Sequence, residues 1–195
     1  IVSGDELSVS ATGVFDNANA GTSKTVTLTS SYSGDDVNNY TITDQSSTTA
    51  NVTKKTITAS ASASNKSYDS TTTASVTLTF SGLIGSETLG QSVSSTFSDK
   101  NVGTNKTVTV NSITLSNGSN GGLAGNYSIS SGQTTTANIT TKSLTVSGIT
   151  GVNKTYDGSV GATLNTSSVS YSGLVSGDDF SVTPTGTFDN KDVGT

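Results

Sequence analysis

The sequence predicts an all-β fold, and three observations carry that prediction. Apolar and hydroxylated residues alternate: Val26 and Leu28 stand between Thr25, Thr27 and Thr29, and Val76, Leu78 and Phe80 between Thr77, Thr79 and Ser81. This period of two belongs to strands with one buried face. The chain holds 37 Thr and 36 Ser among 195 residues, and β-branched Thr and Val suit a pleated, half-buried surface. No stretch carries an apolar stripe at i, i+3, i+4 and i+7, and good helix formers are sparse.

Taken in order, the first strand signal lies at Thr25–Thr29 and the second at Val76–Ser81. A third runs through Val108 and Val110 and continues at Ile113 and Leu115. Acidic Gly-Asp turns separate the segments, at Gly34-Asp35-Asp36 and Gly177-Asp178-Asp179, and a Gly/Asn-rich insertion follows at Asn117–Gly122. Leu, Ile, Val and Phe make up 41 residues, a thin core that sits just above the level where disorder becomes the default. Tyr40, Tyr127, Phe97 and Phe188 are its expected anchors.

Composition excludes several kinds of chemistry. Cys and His are absent, which removes thiol nucleophiles, His-based triads, disulfides and the usual zinc and haem ligands. All nine positive charges are Lys, the formal net charge is −5 and the pI is near 4.4. Nucleic acid is therefore not an expected partner, since phosphates want a basic face. No apolar run approaches the roughly 18 residues of a membrane-spanning helix. Carboxylates that could in principle hydrolyse a glycoside (Asp157, Asp178, Asp192) have no sequence feature bringing two of them together, so no enzymatic activity is expected.

Internal repetition is the strongest signal. Val2-Ser3-Gly4-Asp5 recurs as Ile84-Gly85-Ser86-Glu87 and as Val175-Ser176-Gly177-Asp178. Phe15-Asp16-Asn17 with Gly21-Thr22 recurs from Phe97 to Thr104 and from Phe188 to Thr195. Lys24-Thr25-Val26 matches Lys106-Thr107-Val108, Asn39-Tyr40 matches Asn126-Tyr127, and Ala50-Asn51-Val52 matches Ala137-Asn138-Ile139. Asn65-Lys66-Ser67-Tyr68-Asp69 matches Asn153-Lys154-Thr155-Tyr156-Asp157. The unit is about 85–90 residues, the size of a small β domain. On this frame residues 1–54 are the C-terminal part of one unit, 55–141 a complete unit and 142–195 the N-terminal part of a third. The seams carry no flexible linker, so an elongated rod of tightly coupled units is expected, each sandwich-like (Ig-like or β-grasp-related).

These pieces in this order resemble the YDG/MBG-type tandem repeat of large secreted bacterial adhesins, including the filamentous-haemagglutinin-like surface proteins. Lys154-Thr155-Tyr156-Asp157-Gly158, Val175–Asp179, Phe188–Thr195, Asn105–Val110 and Gly125-Asn126-Tyr127 carry the resemblance. The middle copy departs from it, with Ser70 where Gly158 stands and Ser86-Glu87 in place of Gly-Asp. The resemblance implies a non-catalytic segment on the bacterial cell surface, outside the cell. It would act as a stalk or spacer in cell adhesion or biofilm formation, with neighbouring repeats of the same protein as its partners. It supplies no catalytic or ligand residue.

The candidate sites have two readings each. Tyr68 with Asp69, and Tyr156 with Asp157, could stack and hydrogen-bond a sugar; that gives the alternative function, a carbohydrate-binding module with weak sites acting multivalently. The same residues read as turns, the Asp capping its own backbone and Gly158 supplying positive φ. Asp189, Asn190 and Asp192 space oxygen ligands as a calcium loop would, but the distal bidentate Glu is lacking, so the expected cofactor is none, with calcium the one candidate. Lys66 and Lys154 with Asn51 and Asn138 raise a Lys–Asn isopeptide crosslink, which would release ammonia.

Overall fold

The computed structural model describes residues 1–194. Seventeen strands and two single-turn 3-10 helices make up its regular structure, and the chain is all-β. It divides into two compact units. One comprises Ile1–Ala61, Thr77–Ser94 and Val110–Gln133; the other comprises Ser62–Val76, Ser95–Thr109 and the chain from Thr134 onward.

In the first unit, β1 (Ser8–Phe15), β2 (Gly21–Ser33) and β3 (Ser47–Val52) form an antiparallel sheet in that order. Along β2 the alternation read from the sequence is realised: Lys24 and Val26 are buried, whereas Thr25, Thr27 and Thr29 face solvent. β4 (Lys55–Thr56) follows and pairs in parallel with β10 (Tyr127–Ser128). Tyr127 itself, with Ile57 and Leu78, is 3–4% exposed.

Next come β5 (Thr58–Ala63), β6 (Lys66–Ser67), β7 (Val76–Ser81), β8 (Leu89–Phe97), β9 (Gly103–Asn117) and β11 (Thr134–Thr140). β5 pairs with β7, and the order β6-β11-β9-β8 makes a four-stranded sheet. β11 runs antiparallel to β9 but parallel to β6, so this sheet is mixed. Its second-unit portion carries a core of Phe97, Val108, Ala137 and Ile139, against which Ala63, Tyr68, Ala74 and Val76 pack. Burying each large apolar side chain here contributes about 1.5–3 kcal/mol.

The two copies of the Lys-Thr-Val strand fold alike to the residue. In β2–β3, Gly21 faces Val52 and Lys24 faces Ala50, with a bulge between. In β9–β11, Gly103 faces Ile139 and Lys106 faces Ala137, again with a bulge between the pairs. The bulged residues Ser23 and Asn105 both have φ 51°. Their N–H groups donate to Asn51 Oδ1 and Asn138 Oδ1, each at 2.8 Å. The recurring Asn is thus a bulge cap: it satisfies an amide that the extra residue takes out of the ladder.

The third motif copy is built from short pairs. β12 (Thr145–Ser147) pairs with β16 (Ser170–Ser172), β13 (Thr150–Gly151) with β15 (Leu164–Asn165), and β14 (Gly161–Ala162) with β17 (Gly186–Thr187). One expected core anchor fails here. Phe97 and Tyr127 are 3% exposed, but Phe188 is 42% exposed. The neighbours that bury Phe97 come from β9 and β11, and among the described residues after 142 no strand corresponds to them. Tyr40 is half-buried.

Candidate functional site

The Tyr-Asp motif forms a self-contained clamp, present twice. Lys66 Nζ donates to Asp69 Oδ1 at 2.7 Å, to the Thr71 carbonyl at 2.8 Å and to Thr71 Oγ1 at 3.0 Å. Asp69 Oδ1 also accepts from the Thr71 N–H and hydroxyl, both at 2.9 Å. In the third copy Lys154 Nζ reaches Asp157 Oδ1 at 2.8 Å and the Ser159 carbonyl and hydroxyl at 2.9 Å. Asp157 Oδ1 accepts from the Ser159 N–H and hydroxyl as Asp69 does from Thr71. The Lys-x-Tyr-Asp-x-Ser/Thr spacing is what closes this ring of bonds. Each ammonium also lies over an aromatic ring, Lys66 5.5 Å from the Phe97 centroid and Lys154 5.7 Å from that of Phe188.

Electrostatics follow from the clamp. The Lys66 hydrogen bond holds the Asp69 carboxyl at about 2, and the Lys154 hydrogen bond does the same for Asp157. A carboxylate so strongly stabilised in its ionised form is a poor general acid or base near neutrality. Lys66 and Lys154, raised from the sequence as crosslink candidates, direct their ammoniums to these clamps, and Asn51 and Asn138 cap the two bulges.

A second lysine family fills the loops after Phe15 and Phe97. Lys24 Nζ meets Asp16 Oδ1 at 3.1 Å, the Asn17 carbonyl at 2.7 Å, Asn17 Oδ1, and the Asn19 carbonyl at 2.9 Å. Lys106 Nζ pairs with Asp99 Oδ1. The carboxylate moves one place between copies, from Asp16 to Asp99 (Ser98 stands where Asp16 does), and the lysine follows it. Both carboxyls are pulled below their ordinary value, by Lys24 and by Lys106. In the third copy, Asp189 Oδ1 accepts from the Asn190 N–H and Asn190 Oδ1 from the Asp192 N–H, each at 2.9 Å. Those bonds are turn bonds. Among the described residues no three acidic side chains gather as metal ligands would.

The three copies of the turn at Asp5, Glu87 and Asp178 are each gripped by a tyrosine. Tyr40 accepts from the Val2 N–H at 2.7 Å and donates to Asp5 Oδ2. Tyr127 accepts from the Ile84 N–H at 3.1 Å and donates to Glu87. For the third turn the donor is Tyr68, whose hydroxyl reaches Asp178 Oδ1 at 3.0 Å. In all three the carboxylate partner raises the phenol's pKa. No sequence signal pairs Tyr68 with a residue 110 positions away.

The expected ligand residues thus part company. Tyr68 packs on the second-unit core and spends its hydroxyl on Asp178. Tyr156 is 59% exposed and borders an open groove of about 890 Å³ lined also by Lys154, Ser159, Phe188, Asp189 and Asp192. Asp69 and Asp157 face their own lysines and turns.

The fold and these contacts define an all-β protein whose recurring charged residues brace its own loops. Three stretches, residues 1–50, 53–137 and 140–195, match the YDG domain. The chain belongs to the YDG domain family. Neither the curated proteins nor the solved structures contain a match to it.

Proposed function

We propose that the chain is a non-catalytic repeat segment of a bacterial cell-surface adhesin, acting outside the cell as an extended stalk or spacer in cell adhesion or biofilm formation. Neighbouring repeats of the same protein are its partners in this reading. The observation that carries it is the duplicated clamp: the motif's lysine, carboxylate and hydroxyl bond one another and leave little to offer a substrate. Capped bulges and braced turns, repeated along the chain, are what a load-bearing spacer requires. Among the described residues no helix is long and apolar enough to cross a membrane. Small-angle scattering of the 195-residue chain tests the reading. An elongated particle is the expected result; a compact, near-spherical one would refute it.

One observation favours carbohydrate binding as a second reading: Tyr156 stands exposed beside the groove at Phe188. Sugar rings pack on aromatic faces, and weak sites repeated along an array would act together. A glycan screen with and without calcium decides it. Binding that disappears in Tyr156→Ala supports the module; no binding leaves the spacer.

A further inference from the structure

We propose that Tyr68 is an inter-repeat tether: the tyrosine of the Tyr-Asp motif in one repeat closes on the acidic turn of the next and fixes their junction. Three observations place it there. The three acidic turns are closed alike, by N–H donation from Asp5 to the Val2 carbonyl, from Glu87 to Ile84 and from Asp178 to Val175. Asp5 and Glu87 accept from Tyr40 and Tyr127 of their own repeats, and Asp178 accepts from Tyr68 of the preceding one. The backbone of Tyr68 sits at the seam itself: its N–H donates to the Thr140 carbonyl at 2.9 Å, and Thr140 ends β11 just before the next repeat begins.

Tyr68 is also built as a rigid arm. Its ring packs against the cluster of Phe97, Val108, Ala137 and Ile139. The Lys66–Asp69 clamp fixes the turn that follows, and the parallel β6–β11 pairing fixes the strand that precedes. Its hydroxyl reaches Asp178 of the neighbouring repeat. On the receiving side, Phe180 stacks edge-on against Tyr171 at 5.5 Å and 83°. Segment 174–180 is thereby held to its own repeat by a ring contact and to the previous one by the Tyr68 bond. The tether stands on this geometry alone and does not depend on the spacer reading.

Hydrogen–deuterium exchange of the full chain tests it, followed at segments 174–180 and 134–140. Tyr68→Phe keeps the ring and removes only the hydroxyl. It is expected to raise exchange in 174–180 about tenfold, the scale of one hydrogen bond to a charged group, while 134–140 stays protected. Asp178→Ala is expected to do the same, and the double variant no more than either single one. Asp178→Asn retains an acceptor oxygen and restores most of the protection. Unchanged exchange in Tyr68→Phe, or additive effects in the double variant, would overturn the proposal. Should Tyr68→Phe also expose 134–140, the Asp178 pair of variants decides: equal behaviour of Ala and Asn would overturn it.

Discussion

Phe97 and Phe188 occupy the same place in two copies of one motif, each under a lysine ammonium, and differ in what covers them. Phe97 is 3% exposed and Phe188 42%. Truncating Phe97 to Ala removes a fully buried ring and leaves a cavity walled by Val108, Ala137 and Ile139. The loss expected is about 3–5 kcal/mol. Phe188 buries roughly three fifths as much of its surface, and its site opens to a groove, so no closed cavity remains. Its truncation should cost about 1–2 kcal/mol, the transfer contribution alone. The ammonium–ring contact is lost in both variants and cancels between them, at centroid distances of 5.5 and 5.7 Å. The difference, about 1–4 kcal/mol, isolates the contribution of the strands that cover Phe97. Urea denaturation followed by far-ultraviolet circular dichroism measures it, with amide exchange at Val108 and Ile139 reporting on the core. Equal losses at the two positions would refute the argument that packing by β9 and β11, and not the cation over the ring, decides the anchor's worth.

Acid should withdraw the stability that the clamps supply. Asp69 and Asp157 sit at about 2 against an ordinary 3.8. Their stabilising contribution is whole above the ordinary value and fades as pH falls from about 5 toward 2. Thermal midpoints of Asp69→Asn and the unaltered chain should therefore converge through that window, and parallel curves would count against the clamp. Gly34→Ala should be strongly destabilising, by about 2 kcal/mol or more. Gly34 has φ +127°, and an added Cβ would lie 2.1 Å from the Glu6 carbonyl oxygen. A wild-type melting temperature would show that this turn relaxes freely. Asn138→Ala removes the cap on the exposed, bulged Asn105 amide at a cost of about 0.5–1.5 kcal/mol, and exchange of that amide should rise above that of its strand neighbours. Intact mass should equal the sequence mass, because both clamp lysines are engaged with carboxylates; a deficit of one ammonia would reinstate a crosslink.

Local pattern was legible in the sequence wherever one face of a strand is buried. Thr25–Thr29 and Val76–Ser81 lie in β2 and β7, with Val26 and Leu78 turned inward. At Val110 the alternation loses phase and resumes at Ile113, because Asn111 and Ser112 are both exposed. Long-range partners were not legible. The parallel pairing of β6 with β11 joins residues more than seventy positions apart, and parallel strands have no turn to announce them. The loop that suggested calcium ligands lies in the third copy; its counterparts in the first two copies are filled by a lysine that the repeat places 7–8 residues after the acid. The spacing was visible, but only the bulge that folds β2 and β9 back explains why the ammonium lands among those oxygens. Phe188 repeats the identity of Phe97 without its surroundings, and identity alone says nothing of burial.

The lysine clamps bear on how the chain survives proteases. With no Arg, a trypsin-like enzyme has only nine possible cleavage points. Lys24, Lys66, Lys106 and Lys154 keep their side chains 8–25% exposed and tied to carboxylates, so they cannot enter a specificity pocket without breaking the fold. Five exposed lysines remain, at 54, 55, 100, 142 and 191. Three of them stand where one motif copy gives way to the next. Digestion should nick the chain at those joints while the clamps stay closed.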